Sequence, residues 1–252
     1  MYKNILNQFP DKNTYNTYIE PFGGAYSVGL HLTSIPQVEI YNDLENNVYT
    51  LFKVLNDEKL FTEFKTLCDL CLFNEDLRRE YYNELKTNNT LTDIYRAFYF
   101  YYVNRTSHSG NGGITINSTI RRDMSKSTSD LLSSIDNLYN IYNRLFKTIV
   151  LNKNGIELIE EYNNSNVFIY CDPPYEQSTR TSTRYKVDMN EKMHIDFINA
   201  VNNSKSKILI SGYDCELYER LNKHFVKKHF NVNTVNGKNK SKTKTETLWK
   251  NY

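Results

Sequence analysis

Short runs of apolar and β-branched residues gather toward the two ends of the chain, at residues 18–20, 38–41, 148–151, 167–171 and 207–211, each bounded by turn-forming residues. Runs of this length that lead into stretches of helical periodicity predict parallel strands joined by right-handed crossovers. Further on, residues 225–233 and 246–251 flank a connection rich in Gly, Lys and Ser, which predicts an antiparallel hairpin with a long loop closing the sheet. Between the second and third strands the pattern changes. Residues 60–72, 76–85, 91–103 and 129–146 carry apolar positions at the helical period. An α/β domain over 1–57 and 146–252, interrupted by a mostly helical insertion over 58–145, is therefore expected. Within the insertion, residues 104–128 break the helical pattern. They hold Ser109-Gly110-Asn111-Gly112-Gly113 together with Arg105, His108, Arg121, Arg122 and Lys126, and predict an exposed, positively charged loop.

Composition narrows this picture without naming a function. A chain of 252 residues can bury one α/β core and a smaller appended region, but not two large independent domains. The formal charge is only +2, so any electrostatic footprint must come from local clusters. Four cysteines and the absence of any apolar run near ~18 residues point to a reduced, cytoplasmic protein with no membrane span. Cys68 and Cys71 form a C-x-x-C, but no second pair or paired histidines complete a ligand set, so burial in an amphipathic helix is expected and no metal site. Tyr81, Tyr82, Tyr95, Tyr99, Tyr101 and Tyr102 fall at helical spacing, which predicts that most of them pack helices rather than form a stacking surface.

The residues that carry chemistry follow the predicted strands. Val167-Phe168-Ile169-Tyr170-Cys171 runs directly into Asp172-Pro173-Pro174-Tyr175. A conjugated exocyclic amine, such as that of adenine, is a poor nucleophile because its lone pair is delocalised into the ring. A carboxylate such as Asp172 and a carbonyl such as that of Pro173 can accept both N–H bonds and draw the nitrogen toward sp³ geometry. Consecutive prolines fix the turn and remove competing N–H donors. Tyr175 offers a ring face on which an extruded base can stack, worth roughly 1–3 kcal/mol. A second element, Tyr18-Ile19-Glu20-Pro21-Phe22-Gly23-Gly24-Ala25, predicts a strand, a glycine turn that lets backbone approach a ligand, and then a helix. Glu20 suits an ammonium or hydroxyl of a nucleoside. A third, Glu39-Ile40-Tyr41-Asn42-Asp43, sets an acid roughly 20 residues beyond the glycine turn, where nucleotide sites bind ribose hydroxyls.

In this order the elements resemble the Dam-type DNA adenine methyltransferases of phages and restriction-modification systems. Glu20-Pro21-Phe22-Gly23-Gly24 is similar to the family's cofactor motif, Asn42-Asp43 to its ribose-binding acid and Asp172-Pro173-Pro174-Tyr175 to its catalytic motif. Ile208-Leu209-Ile210-Ser211-Gly212-Tyr213-Asp214 resembles its fifth-strand segment, the residues from Lys244 to Tyr252 its closing strand, and Thr183-Arg184-Tyr185 followed by His194 its loop and helix after the catalytic turn. The resemblance implies a Rossmann-like S-adenosylmethionine-dependent sheet with a target-recognition insertion, methylating adenine N6 in double-stranded DNA, with a cognate restriction endonuclease as a further partner. It assigns catalysis to Asp172, Pro173, Pro174 and Tyr175. Cofactor contacts fall to Glu20, Pro21, Phe22, Gly23, Gly24, Ala25, Asp43, Leu44, Asn154, Gly155 and Asp172. DNA contacts are expected from Arg105, Arg121, Arg122, Lys126, Arg180 and Arg184, with Lys238, Lys240, Lys242 and Lys244 as a further basic cluster. Two features depart from the family. Its usual Gly-Gly-Lys or Gly-x-Lys opening is not found ahead of Tyr2-Lys3, and Asn154 stands where an aspartate more often meets the cofactor's adenine. Both predict a weaker cofactor site. The same residues leave two other readings open: a cofactor-impaired relative that binds DNA or protein, and a methyltransferase acting on cytosine N4 or RNA.

Overall fold

The computed structural model describes residues 2–107, 119–175, 188–236 and 240–252, with backbone alone over 231–236 and 240–244. The chain divides into two compact units, residues 1–45 with 151–252 and residues 46–150. The division falls one helix earlier than the expected boundary at 58, because the helix that follows the second strand packs among the helices of the insertion.

The main sheet consists of β1 (Thr17–Glu20), β2 (Val38–Asn42), β5 (Thr148–Leu151), β6 (Val167–Cys171), β7 (Lys207–Gly212), β8 (Val226–Asn236) and β9 (Lys240–Lys250); all of these but residues 148–150 fall in the first unit, and β3 and β4 belong to a separate hairpin described below. The strand order is β5-β2-β1-β6-β7-β9-β8. β1 pairs in parallel with β2 and β6, and β6 with β7, while β9 runs antiparallel to β7 and β8. The alternation along β6 explains its central place. Val167, Ile169 and Cys171 enter one apolar layer with Leu158, Ile159, Phe197 and Ile198, whereas Phe168 and Tyr170 enter the opposite layer with Ile5, Val28 and Leu248. The first layer is covered by α8 (Gly155–Glu161) and α9 (Glu191–Asn203), the second by α1 (Tyr2–Leu6) and the segment after β1.

Two expectations about this unit are corrected. No regular helix follows the glycine turn after β1; the segment bends twice through left-handed residues, Gly24 at φ +48° and Tyr26 at φ +54°, and reaches only a single 3₁₀ turn at Gly29–His31. Tyr26 is held in that conformation by complete burial and a 2.6 Å hydrogen bond to Glu39 Oε1. The long loop expected before the closing strand is mostly strand, since β8 and β9 extend to Asn236 and Lys240. The run Lys240-Ser241-Lys242-Thr243-Lys244-Thr245 alternates with a period of two, a β pattern that its polarity obscures.

The second unit contains α2 (Asn46–Asn56), α3 (Glu58–Leu70), α4 (Glu75–Thr87), α5 (Asp93–Thr106), α6 (Lys126–Asp136) and α7 (Leu138–Leu145). Side-chain caps start four of them: Asp57, Asn74, Thr92 and Ser125 each accept an N–H bond from the first turn. The single run expected over 129–146 is two helices, broken at Asn137, which closes α6 and opens α7. Asp and Asn side chains compete for backbone bonds, which makes Asp136-Asn137 a favoured break point. Residues 104–128 are not one loop either. Asn104 to Thr106 finish α5, and β3 (Ile120–Arg121) and β4 (Met124–Ser125) form a hairpin whose tip, Arg122 and Asp123, is left-handed at φ +54° and +59°. Residues 108–118 of that stretch lie outside the described residues. Tyr101 and Tyr102 are buried in the helical core, and Tyr81 stacks on Tyr99 with ring centroids 4.1 Å apart, while Tyr82 and Tyr95 reach solvent. Cys68 is buried in α3 and Cys71 caps its end. Among the described residues no helix is long and apolar enough to cross a membrane.

Candidate active site

The strand order fixes where a ligand can bind. From β1 the sheet grows toward β2 on one side and toward β6 and β7 on the other. In an open parallel sheet such a reversal leaves a crevice beyond the carboxyl ends of the flanking strands. Glu20 ends β1 and Asp172 directly follows β6, so two carboxylates flank that point. A cavity of about 550 Å³ lined by Lys12, Tyr15, Ile35 and Asn166 lies at the opposite, amino-terminal edge of these strands and touches none of the candidate residues.

Glu20 is only 3% exposed, and its Oε1 accepts the Tyr18 hydroxyl at 2.6 Å. Burial pushes its carboxyl up to about 8, against the pull of the Tyr18 hydroxyl and the Gly29 amide, and the charges of Asp172 and Glu39 add to the rise. A buried carboxyl in that state keeps its proton at neutral pH unless a positive charge is set against it.

The glycine turn and Asp43 interlock. Asp43 accepts the Gly24 N–H on Oδ2 and the Glu45 N–H on Oδ1, both at 2.8 Å, leaving each oxygen a second lone pair. Its carboxyl is raised by burial, and the two amides oppose that shift. The two glycines differ in purpose. A Cβ on Gly23 would lie 2.3 Å from the Tyr41 ring, so Gly23 serves packing, whereas a Cβ on Gly24 would meet nothing within 4 Å, and Gly24 is instead required by its left-handed φ of +48°. Tyr41 then donates its hydroxyl to the Gly24 carbonyl at 2.9 Å. Around this turn Pro21 is buried, Phe22 packs edge-on to Phe197, and Ala25 and Leu44 are exposed. Gly155 lies under Phe22, where a Cβ would come within 2.6 Å of the ring.

Asn42 does more than precede the acid. Its amide donates to the Pro21 and Lys153 carbonyls at 2.8 and 3.0 Å, and its carbonyl accepts the Lys153 N–H at 2.8 Å, binding two strand-end loops to β2. Asn154 caps α8, its Oδ1 accepting the Ile156 N–H at 3.0 Å. That oxygen keeps one lone pair for a further donor.

At Asp172 solvent touches the side chain, yet the protein around the strand end desolvates the carboxyl and raises it to about 6, with the Ser211 hydroxyl pulling the other way. Ser211 Oγ donates to Asp172 Oδ1 at 2.8 Å. Pro173 is buried, and Tyr175 lies half-exposed against Tyr213, ring centroids 4.6 Å apart. Ser211, Tyr170, Asn42 and Tyr213 were not among the expected site residues. A hydroxyl that ends the otherwise apolar run Ile208-Leu209-Ile210 is the sequence signal that could have singled out Ser211.

Three carboxylates thus line one sheet edge, each held by neutral hydroxyl or amide donors, beside the open Cα face of Gly24. That set fits a cationic nucleoside with free ribose hydroxyls. The basic residues are less uniform. Arg105 is exposed with its guanidinium 5.6 Å from the Tyr101 ring centre. Arg121 pairs with Asp130 at 2.8 Å and Lys126 binds the same carboxylate, so both are partly neutralised; among the described residues Arg122 reaches the Ser133 hydroxyl, at 3.1 Å, and no carboxylate. Arg180, Arg184 and Lys238 lie outside the described residues, as do the side chains of Lys240, Lys242 and Lys244.

With this geometry in place, the comparisons with known proteins identify the class. A family model for the D12 class N6 adenine-specific DNA methyltransferases matches residues 1–239, and the chain belongs to that family. It transfers methyl groups from S-adenosylmethionine to the N6 amine of adenine in DNA. The chain is similar to the type II methyltransferase M.MjaIII of Methanocaldococcus jannaschii, 25% identical over 82% of this chain and 78% of that one. It is also similar to the type II methyltransferase M.CviBI of Paramecium bursaria Chlorella virus NC1A, 24% identical over 85% and 82% of the two chains.

Proposed function

We propose that Asp172 and the Pro173 carbonyl orient the adenine amine, that Tyr175 stacks on the extruded base, and that Glu20, Gly24 and Asp43 hold S-adenosylmethionine. The observation that carries this reading is the state of Asp172. One of its oxygens is held by Ser211, the side chain is open to solvent, and it sits at the crevice where the strand order reverses. Its Oδ2 is the acceptor turned to a substrate N–H. The Pro173 carbonyl takes the second N–H, and neither proline offers a donor that would compete for it. With both hydrogens held, the nitrogen lone pair is drawn out of conjugation and toward the bound donor. When bound, S-adenosylmethionine supplies the electrophilic methyl group. Stacking on Tyr175 offsets part of the few kcal/mol that extrusion of the base from a duplex costs.

Glu20 and Asp43 bind rather than react. Asp43 keeps a lone pair on each oxygen for ribose hydroxyls, and Glu20, once ionised, complements a positive charge held over the strand ends. Asn154 and Gly155 border the same region, Asn154 with one free lone pair for an adenine amine. The helical unit over 46–150 serves target recognition in duplex DNA, supported by Arg105 and by Arg122 on a hairpin tip held in a left-handed conformation. Positive φ at both tip residues is the type I′ geometry of a two-residue hairpin turn, and it sets Arg122 at the exposed end of the hairpin. The type II names of both relatives support a protective role beside a cognate endonuclease.

The test replaces Asp172 with alanine. Methyl incorporation into unmethylated DNA should fall by roughly a hundredfold or more, while calorimetric affinity for S-adenosylmethionine stays within tenfold. Full activity in D172A would sink the assignment.

A further inference from the structure

We propose that Ser211, backed by Tyr170, is the positioning residue for Asp172: a buried hydroxyl chain pins one carboxylate oxygen and leaves the other aimed at the substrate amine. This rests on Asp172 being the amine acceptor. Tyr170 and Ser211 are 3% and 1% exposed, on β6 and β7, which pair in parallel with Cys171 opposite Ile210. That register sets Ser211 level with Asp172, one residue past each partner. The Tyr170 hydroxyl lies 2.8 Å from Ser211 Oγ, and Ser211 Oγ lies 2.8 Å from Asp172 Oδ1.

Donor accounting gives the chain a direction. A serine hydroxyl has one hydrogen. Two acceptors lie within reach of it, Asp172 Oδ1 at 2.8 Å and the Cys171 carbonyl at 3.4 Å, and the nearer, charged one takes it, so the bond between Tyr170 and Ser211 forms with the phenol as donor. Burial holds the Tyr170 phenol well above its ordinary pKa, so it keeps that proton across the working range. The order Tyr170 to Ser211 to Asp172 is therefore fixed whenever Asp172 is ionised. A carboxyl otherwise free to rotate about its terminal torsion is thereby held in one orientation, and its ionised form is favoured. Other titratable groups face the same carboxyl: Glu20 at the end of β1, Tyr170 and Cys171 on β6 and Tyr213 after β7. Glu20 holds its proton to higher pH than Asp172 and is still neutral as Asp172 ionises, so what the hydroxyl chain works against is the desolvation of the Asp172 carboxyl.

The test compares S211A, Y170F and D172A in the full chain with duplex DNA. In S211A, kcat should fall ten- to a hundredfold and the acid limb of the kcat profile should move to higher pH, because the hydrogen bond that lowers the Asp172 carboxyl is gone. Affinity for S-adenosylmethionine, read by calorimetry, should stay within twofold. Y170F keeps the buried ring, so its fold is preserved, and should show a smaller loss in the same direction. If D172A is inactive while S211A keeps the wild-type rate and pH profile, the relay is wrong although the Asp172 assignment stands. A loss in S211A with an unmoved acid limb and weakened cofactor binding would mean a merely structural hydroxyl, and likewise overturns it. Full activity in D172A removes the Asp172 reading and the relay together.

Discussion

At the scale of single residues, Glu20 works against the fold that contains it. Its carboxyl ordinarily titrates near 4.5 and is raised to about 8 on burial. Below pH 4.5 it is protonated in both folded and unfolded chains and costs nothing; between 4.5 and 8 the unfolded chain releases a proton that the folded chain retains, and stability falls. Above that window the loss is constant. Glu20→Gln keeps an acceptor for Tyr18 and removes the ionisation. It should therefore melt higher than the native protein near pH 8, by the equivalent of ~2–5 kcal/mol, with the difference vanishing toward pH 4. The same exchange should weaken S-adenosylmethionine at least tenfold. In the native protein that affinity should rise with pH up to about 8, since a bound cation requires Glu20 to lose its proton. Calorimetry from pH 6 to 9 reads both effects, and a pH-independent affinity in the native protein would remove Glu20 from the cofactor site.

At the scale of elements, the start of α8 combines a structural role with a binding role in one side chain. Asn154 caps the helix through Oδ1. Asp and Asn cap about equally well, whereas Ala loses ~0.5–2 kcal/mol. Asn154→Asp should therefore leave the melting temperature unchanged while tightening S-adenosylmethionine severalfold through the added charge, and Asn154→Ala should lower stability and affinity together. An unchanged affinity in N154D would confine Asn154 to capping. The elements themselves were readable to different degrees. The apolar runs of β1, β2, β6 and β7 announce themselves because strands covered on both faces need continuous hydrophobicity. The polar half of β9 did not, because its period-two alternation joins lysine to hydroxyl residues rather than to apolar ones. A helix was expected after Gly24 by analogy with nucleotide-binding turns, but Tyr26 buries its ring and turns left-handed, a tertiary demand invisible to local propensity. Asp172, Glu20 and Asp43 were legible because each ends an apolar strand. The hydroxyl of Ser211 at the end of an apolar run was a signal of the same kind, but its contacts to Tyr170 and Asp172 exist only across the β6–β7 register and could not be read from it.

At the scale of the whole molecule, a formal charge of +2 over 252 residues gives little long-range attraction for a polyanion. Affinity for DNA must then come from a few local cations, each of which displaces counterions when it meets a phosphate. The described candidates are not equivalent. Arg121 and Lys126 already share Asp130, and engaging DNA requires them to give up part of that pairing, whereas among the described residues Arg122 gives up a hydroxyl contact. Arg122 should therefore carry the larger share of the electrostatic contact, despite standing next to Arg121 in the sequence. Replacing Arg122 with alanine should weaken DNA binding about equally for all sequences and reduce the slope of log affinity against log salt by about one. Affinity for S-adenosylmethionine should be unmoved. Replacing Arg121 should change the slope by less, because its charge is offset in the free protein. Equal slopes for the native protein and R122A would show that the hairpin tip does not meet phosphate, and would move the search for the DNA contact to Arg105 and the basic closing hairpin.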